Sequence, residues 1–418
     1  MNAQAVVAAL FALTVTLPAP AAMAAAGQLD PSFGTNGIAV IPLNGPTGGA
    51  VKVLQQLNGE LLVAAQGNAV NANNTQIALL TTTGAVDTTF GVQGFATLSI
   101  AGELVETPTD MQLQSDGRIL VVADIAAHSG KGEIAHGIVA RFNANGTPDT
   151  SFGIGGVVEL TQPTGSEGDE PTVLLVQTNG QILIADTFAS SEVVLRLNTD
   201  GTPDTSFGQG GTATIASTGG APRALALQSD GKIVAITTTA SRLLPNGTLD
   251  QSTVPGVVIA SSAQQAQIGV LAPLAVQSND SYLVSKVVGS VEQDFALHRF
   301  KLNNKADKSL KSVTIGFDGA KTKNLSQDYA NVVQPNGSIL AAGRFLAGAD
   351  EGFGLARLLT NGAFDSGFGT NGVVTTAFPG NSAVATALAV QSDGNIVAAG
   401  NCTGIGSSNL AVARYLGN

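Results

Sequence analysis

The fold class this sequence predicts is all-β: a seven-bladed β-propeller of four-stranded antiparallel blades. Three observations predict it. One phrase recurs with an Asp at positions 30, 87, 149, 204, 250, 307 and 365, about 56 residues apart, and a period of that size belongs to solenoids and propellers. Gly fills 51 of 418 positions, which calls for many tight turns between short strands. An Asn-Gly or Asp-Gly hairpin signal stands at the same place in nearly every copy, with Asn279-Asp280 in the fifth.

The first 26 residues lie outside the repeat. Residues 5–17 form an apolar run too short to span a bilayer, Pro18 and Pro20 break it, and Ala22-Met23-Ala24 or Ala24-Ala25-Ala26 offers a small-residue cleavage site. This reads as a signal peptide over residues 1–26, cleaved near Ala26, ahead of a single repeat domain over residues 27–418. The expected destination is the periplasm, the cell surface or the medium. No later apolar stretch has the length of a membrane span.

Within a copy the order is constant. The last one has Asp365-Ser-Gly-Phe-Gly, then apolar runs at residues 373–377 (A), 385–391 (B), 395–400 (C) and 410–415 (D), rich in Val, Ile, Ala and Leu and bounded by Gly, Asn and Asp. Turns B–C are Asn58-Gly59, Asp116-Gly117, Asn179-Gly180, Asp230-Gly231, Asn279-Asp280, Asn336-Gly337 and Asp393-Gly394, read as two-residue type I′ hairpins. Strand D carries an Arg eight residues before the next Asp (Arg141, Arg196, Arg242, Arg299, Arg357), with Leu79 in the first copy. So constant a spacing implies a structural role, an Arg reaching a carbonyl or the Asp of the following turn. The Phe of the phrase (Phe33, Phe90, Phe152, Phe207, Phe368) reads as a plug between blades.

Arg414 continues the series. Counting Gly27 as the residue after Asn418 makes the distance from Arg414 to Asp30 eight again, so the N-terminal strand, near residues 38–43, is expected to pair with the C-terminal blade and close the ring.

Function has less to stand on. A net charge of −11 argues against nucleic-acid binding, and Cys402, the one cysteine, allows no intrachain disulfide or cysteine-based zinc site. Variable loops on a rigid scaffold are the usual seat of binding. Here the spacing from the B–C turn to the strand D Arg runs from 11 (Gly231 to Arg242) to 24 (Gly117 to Arg141), so the C–D loops are expected to vary most. On that face Glu103, Glu106 and Asp110 fall in one A–B connection and Glu167, Asp169 and Glu170 in the next, an acidic surface for a protein or glycan partner. Such carboxylates could also hold calcium, although the sequence requires no cofactor. The longest C–D loop holds Asp124, His128, Glu133 and His136, in a spacing that matches no hydrolase motif. Copies at Asp250 and Asp307 lose the Phe-Gly, and the latter is flanked by Lys301, Lys305, Lys308, Lys311, Lys321 and Lys323, a second candidate docking surface.

The residues point away from an enzyme: no nucleophile elbow, Walker loop or zinc-protease helix is present, and only three His. A pair of carboxylates near the channel mouth remains open to a polymer-cleaving hydrolase or lyase.

The phrases Gln391-Ser-Asp-Gly-Asn-Ile-Val-Ala-Ala-Gly400, Ala413-Arg414 and, earlier, Gly146-Thr-Pro-Asp-Thr-Ser-Phe-Gly153 recur in fixed order and resemble the bacterial delta-60 repeat family. The resemblance covers essentially the whole chain after the leader. It implies an exported β-propeller and transfers no catalytic residue. The expectation is therefore an exported binding or scaffolding module, with an enzyme and a self-assembling surface protein as alternatives.

Overall fold

A computed structural model describes residues 25–43, 50–69, 72–100, 103–129, 132–160, 171–188, 191–215, 222, 224–237, 239–252, 257–258, 275–276, 281–288, 294–301, 305–310, 313–315, 317, 327–347, 350–378, 381–404 and 407–417. Residues 1–24 of the leader, Glu167, Asp169, Glu170, the Asn279-Asp280 turn, Lys311, Lys321 and Lys323 lie outside these residues.

The described residues form 28 strands, with no helix among them. They group into antiparallel sets of four with one internal order: inner, second and third strands follow in sequence, and the outer strand is the first after the next Asp phrase. The second set shows the pattern, with Glu103–Leu113 inside, then Ile119–Ser129 and Gly132–Phe142, and Val157–Glu159 outside. Five sheets are separate four-stranded units, and an eight-stranded sheet joins the first two sets through one bridge, Asn73 to Val105. The strand Ile38–Pro42 pairs antiparallel with Ser407–Tyr415, Ile38 opposite Ala413 and Pro42 opposite Asn409, so the two ends of the described chain share a sheet.

Apolar side chains leave each sheet on both faces, and each hydrophobic cluster is shared by consecutive sets. Leu62, Ile77 and Phe90 of the first pack with Val121 and Ile138 of the second. Leu120, Val122 and Phe152 of the second pack with Leu174 and Ile184 of the third. The same layering continues to the sixth and seventh, where Phe353 and Phe368 meet Ala398 and Tyr415. A further cluster joins Val397, Val412 and Ile41 of the seventh to Val53, Leu61 and Val63 of the first. Second strands, covered on both faces, are the most deeply buried; Ile119, Leu120, Val121, Val122 and Ala123 are each 0% exposed. Cys402 sits buried in such a strand, and burial pushes its thiol pKa up.

Three expectations are corrected. The described B–C turns are not type I′: Gly59, Gly117 and Gly394 have φ of 89°, 85° and 89°, but the preceding Asn or Asp does not enter the left-handed region. Gly59 N–H donates to Gln56 O and Gln56 N–H to Glu60 O, which makes a three-residue loop, a type I turn ended by a left-handed Gly. The Asn58 side chain accepts from Glu60 N–H and holds the loop in this form. Secondly, Glu103, Glu106 and Asp110 do not lie in a connection; they belong to the inner strand Glu103–Leu113. Thirdly, the length variation resides in strands. Asp124, His128, Glu133 and His136 sit on paired 11-residue strands, His128 opposite Glu133, whereas the fourth set has strands of four and five residues there.

Candidate functional site

The repeated Asp, Arg and Phe form one structural unit. Arg141, in a third strand, donates through Nε to Asp149 Oδ2 at 2.7 Å, through Nη1 to the Thr199 carbonyl at 2.5 Å and through Nη2 to Ser151 Oγ at 3.3 Å. Its guanidinium carbon lies 4.4 Å from the centroid of the Phe152 ring. Thr199 belongs to the turn of the next set, so one side chain ties two sheets together. Arg196 repeats this with Asp204, Pro245 O and Phe207, and Arg357 with Asp365, Gly417 O and Phe368. Arg414 does so with Asp30, Thr82 O and Phe33 across the two ends of the chain.

Each Asp is held from the other side by the residue two positions on. Asp149 Oδ1 accepts from the Ser151 N–H and Oγ, at 3.1 and 2.6 Å. Burial pushes the Asp30 and Asp149 carboxyls up, but the Ser bonds and the adjacent guanidinium outweigh it, and both sit below the usual range. The serine hydroxyl is the leading cause of the same lowering at Asp204 and Asp250, as the Ser309 N–H is at Asp307.

The Phe plugs behave as expected. Phe33, Phe90, Phe152, Phe207 and Phe368 are at most 2% exposed. Each ring lies on the Gly of the following set's turn: at Gly146, with φ of 82°, a Cβ would come within 3.0 Å of the Phe90 ring. In the copy at Asp307, Leu310 takes the Phe position, 6% exposed, with its N–H on Asp307 O as Phe152 N–H is on Asp149 O.

Inner strands line a cavity of about 1490 Å³ at the centre of the array. Register shifts recur at one place in four of them, between Ala50 and Lys52, Pro108 and Asp110, Asp328 and Ala330, and Ala385 and Ala387. These β-bulges turn the local side chains toward the neighbouring inner strand. The Thr386 hydroxyl bonds the Ala50 carbonyl and the Thr172 hydroxyl the Pro222 carbonyl. Asp110 accepts from Lys52 Nζ at 2.9 Å and from Leu174 N–H at 3.0 Å, bridging three successive inner strands. The structure thus uses Asp110 as an internal strut, 6% exposed, and no surface acid.

Of the remaining expected site residues, Glu103 and Glu106 start an inner strand, at the end of the sheets where the C–D hairpins close. Lys301, Lys305 and Lys308 are exposed at the opposite end, in the turn after Asp294–Phe300. The structure therefore does not bring the acidic and basic candidates together. Among the described residues no group of three or more His, Cys, Asp or Glu is placed to hold a metal.

A staple repeated between sheets, short antiparallel sets and a central cavity define a β-propeller repeat protein. A family model described as a domain of unknown function (DUF5122) beta-propeller matches residues 114–152, 177–207, 228–252, 334–368 and 391–418. The first four matched segments start at the Gln that follows an inner strand and finish within the Asp phrase. No curated protein matches the chain. Among solved structures, an ulvan lyase of a polysaccharide lyase family is similar at 12% identity and a TM-score of 0.50, covering 91% of this chain and 95% of that one. The extracellular domain of a putative one component system from B. thetaiotaomicron gives 10% and 0.44, and this chain spans 39% of its length against 89% of its own. Sqt1 from Chaetomium thermophilum gives 12% and 0.46, covering 90% and 98%. At these identities the likeness is one of fold. Among the described residues no helix is long and apolar enough to cross a membrane.

Proposed function

We propose that this chain is an exported binding or scaffolding module of the delta-60 type, a closed ring of seven blades that engages a protein or glycan through residues the repeat does not dictate. One observation carries the reading: the Arg and Asp common to the copies are spent on joining blades. Arg141, Arg196, Arg299, Arg357 and Arg414 each bond their Asp and a carbonyl of the neighbouring turn, so these repeated pairs are not free for a ligand. Recognition then falls to the C–D hairpin end, where Glu103, Glu106, Glu167, Asp169 and Glu170 gather in the sequence, and to the Lys-rich flank of the fifth blade. An enzyme working with two carboxylates gains nothing from the cavity, because Asp110 is the one carboxylate among its described lining residues and is bound on both oxygens.

The test is a thermal-shift screen of calcium, neutral and anionic oligosaccharides and basic and acidic proteins. The reading expects stabilisation by one class, lost on Glu103→Gln/Glu106→Gln or on Lys301→Ala/Lys305→Ala/Lys308→Ala. A ligand whose effect survives both sets of changes, or measurable polymer cleavage, would count against it.

A further inference from the structure

The seventh copy of the turn between third and outer strands is assembled from both ends of the described chain. Gly27 N–H donates to Leu416 O at 2.7 Å, as Gly146 N–H does to Asn143 O at 2.9 Å in the unbroken second copy. Leu416 N–H donates to Gln28 O at 2.8 Å, as Asn143 N–H does to Thr147 O. The place of Asn145, whose carbonyl accepts from Gly91 N–H, is taken by Ala26, whose carbonyl accepts from Gly369 N–H at 2.9 Å. Ala26 is 8% exposed and belongs to the hydrophobic cluster of the sixth and seventh sets. Gly27 is buried as well, with φ of 85°, whereas Ala25 is exposed.

The sequence offers cleavage after Ala24 or after Ala26, and the two leave different charges in different places. Hydrolysis adds one water across the peptide bond; the leader departs with a carboxylate and the remaining chain starts with an ammonium group. A cut after Ala26 would put that ammonium on buried Gly27, where its nitrogen serves the Leu416 carbonyl and has little access to water. It would also remove the carbonyl that Gly369 N–H uses. A cut after Ala24 places the ammonium on exposed Ala25, beside Gln28 Oε1 at 3.2 Å, and keeps every bond of the turn.

We propose that the leader is cleaved between Ala24 and Ala25, and that Ala25 and Ala26 are retained because Ala26 completes the seventh turn. This rests on the export reading. N-terminal sequencing and intact mass of the exported protein should give a chain starting at Ala25. A start at Gly27 overturns the proposal and leaves export standing, while a retained chain starting at Met1 removes the export reading and the proposal with it. A second measurement is independent of export: chains produced to begin at Ala25 and at Gly27 are compared by hydrogen exchange and melting. The shorter chain should exchange the Gly369 amide about tenfold faster and melt lower. Equal exchange and equal melting would mean that Ala26 is dispensable, which also overturns the proposal.

Discussion

The guanidinium of Arg141 shows why the repeat keeps an Arg and not merely a cation. Its planar fork serves Asp149, Ser151 and the Thr199 carbonyl at once while its face covers Phe152, and a lysine has neither the fork nor the plane. With Arg141 3% exposed, Arg141→Ala would leave the Thr199 carbonyl without its donor and Asp149 Oδ2 with only Arg118 Nε, 3.4 Å away, at a cost of about 3 kcal/mol. Urea denaturation should show that loss, with Arg141→Lys recovering less than half of it. The ring beneath is more forgiving, because Leu310 already fills the same position. Phe152→Leu should cost about 1–2 kcal/mol and Phe152→Ala about 3–5 kcal/mol. At this scale the Arg, Asp and Phe were legible in the sequence, since constant spacing reports constant geometry. Asp110 was not: a single carboxylate at a bulge carries no spacing signal, and its partners Lys52 and Leu174 are 58 and 64 residues away.

Strands were read well where both faces are covered and poorly where one edge is free. The second strand of the last copy, placed by sequence over residues 395–400, is Ile396–Gly404 and opens on an apolar run. The inner strand Glu103–Leu113 was read as a connection because Thr107-Pro108-Thr109-Asp110 has neither alternation nor apolar weight. Pro108 is tolerated there because, beyond the single bridge at Val105, this strand is paired on one side only, and the bulge beside it breaks the period of two. The hairpin lengths were misassigned for a related reason: a count of residues between two turns cannot tell a longer loop from longer strands. A strand near residues 38–43 was predicted from the repeat spacing to pair with the C-terminal blade, and Ile38–Pro42 pairs with Ser407–Tyr415. Removing residues 27–43 should leave this strand unpaired and expose Val412 and Leu410, both now buried. We expect the thermal midpoint to fall by more than about 10 °C, with partial recovery on adding a peptide of residues 25–43. A deletion that melts like the full chain would show that the pairing contributes nothing to stability.

The staples are distributed around the array, and that distribution sets how the whole molecule responds to acid and to damage. Asp30, Asp149, Asp204, Asp250 and Asp307 have carboxyl pKa values below the ordinary one, so their stabilisation is complete above the unfolded value of about 4 and is lost as pH falls through the folded values. Stability should be flat in this respect from neutral pH down to about pH 5 and then drop steeply, with the interfaces opening together. One interface departs from the rule. Leu79 stands where the Arg should be; Asp87 accepts from the Thr89 N–H and hydroxyl at 2.9 and 2.7 Å, and among the described residues no guanidinium crosses from the first set to the second. That same interface carries the Lys52–Asp110 pair, the Gln66 to Thr107 bond at 2.9 Å and the Asn73 to Val105 bridge that merges two sheets into one. We infer that these contacts substitute for the missing staple. Lys52→Ala, which leaves Asp110 6% exposed without its cation, should therefore destabilise by about 2 kcal/mol, more than Lys→Ala at exposed Lys301. Adding Leu79→Arg should recover about 1 kcal/mol of it, because Asp87, the Phe90 ring and the Ala144 carbonyl occupy the positions that Asp149, Phe152 and Thr199 hold around Arg141. The double-mutant cycle is read by denaturant melts; if Leu79→Arg is equally harmful with and without Lys52, the two contacts are independent and the substitution argument fails.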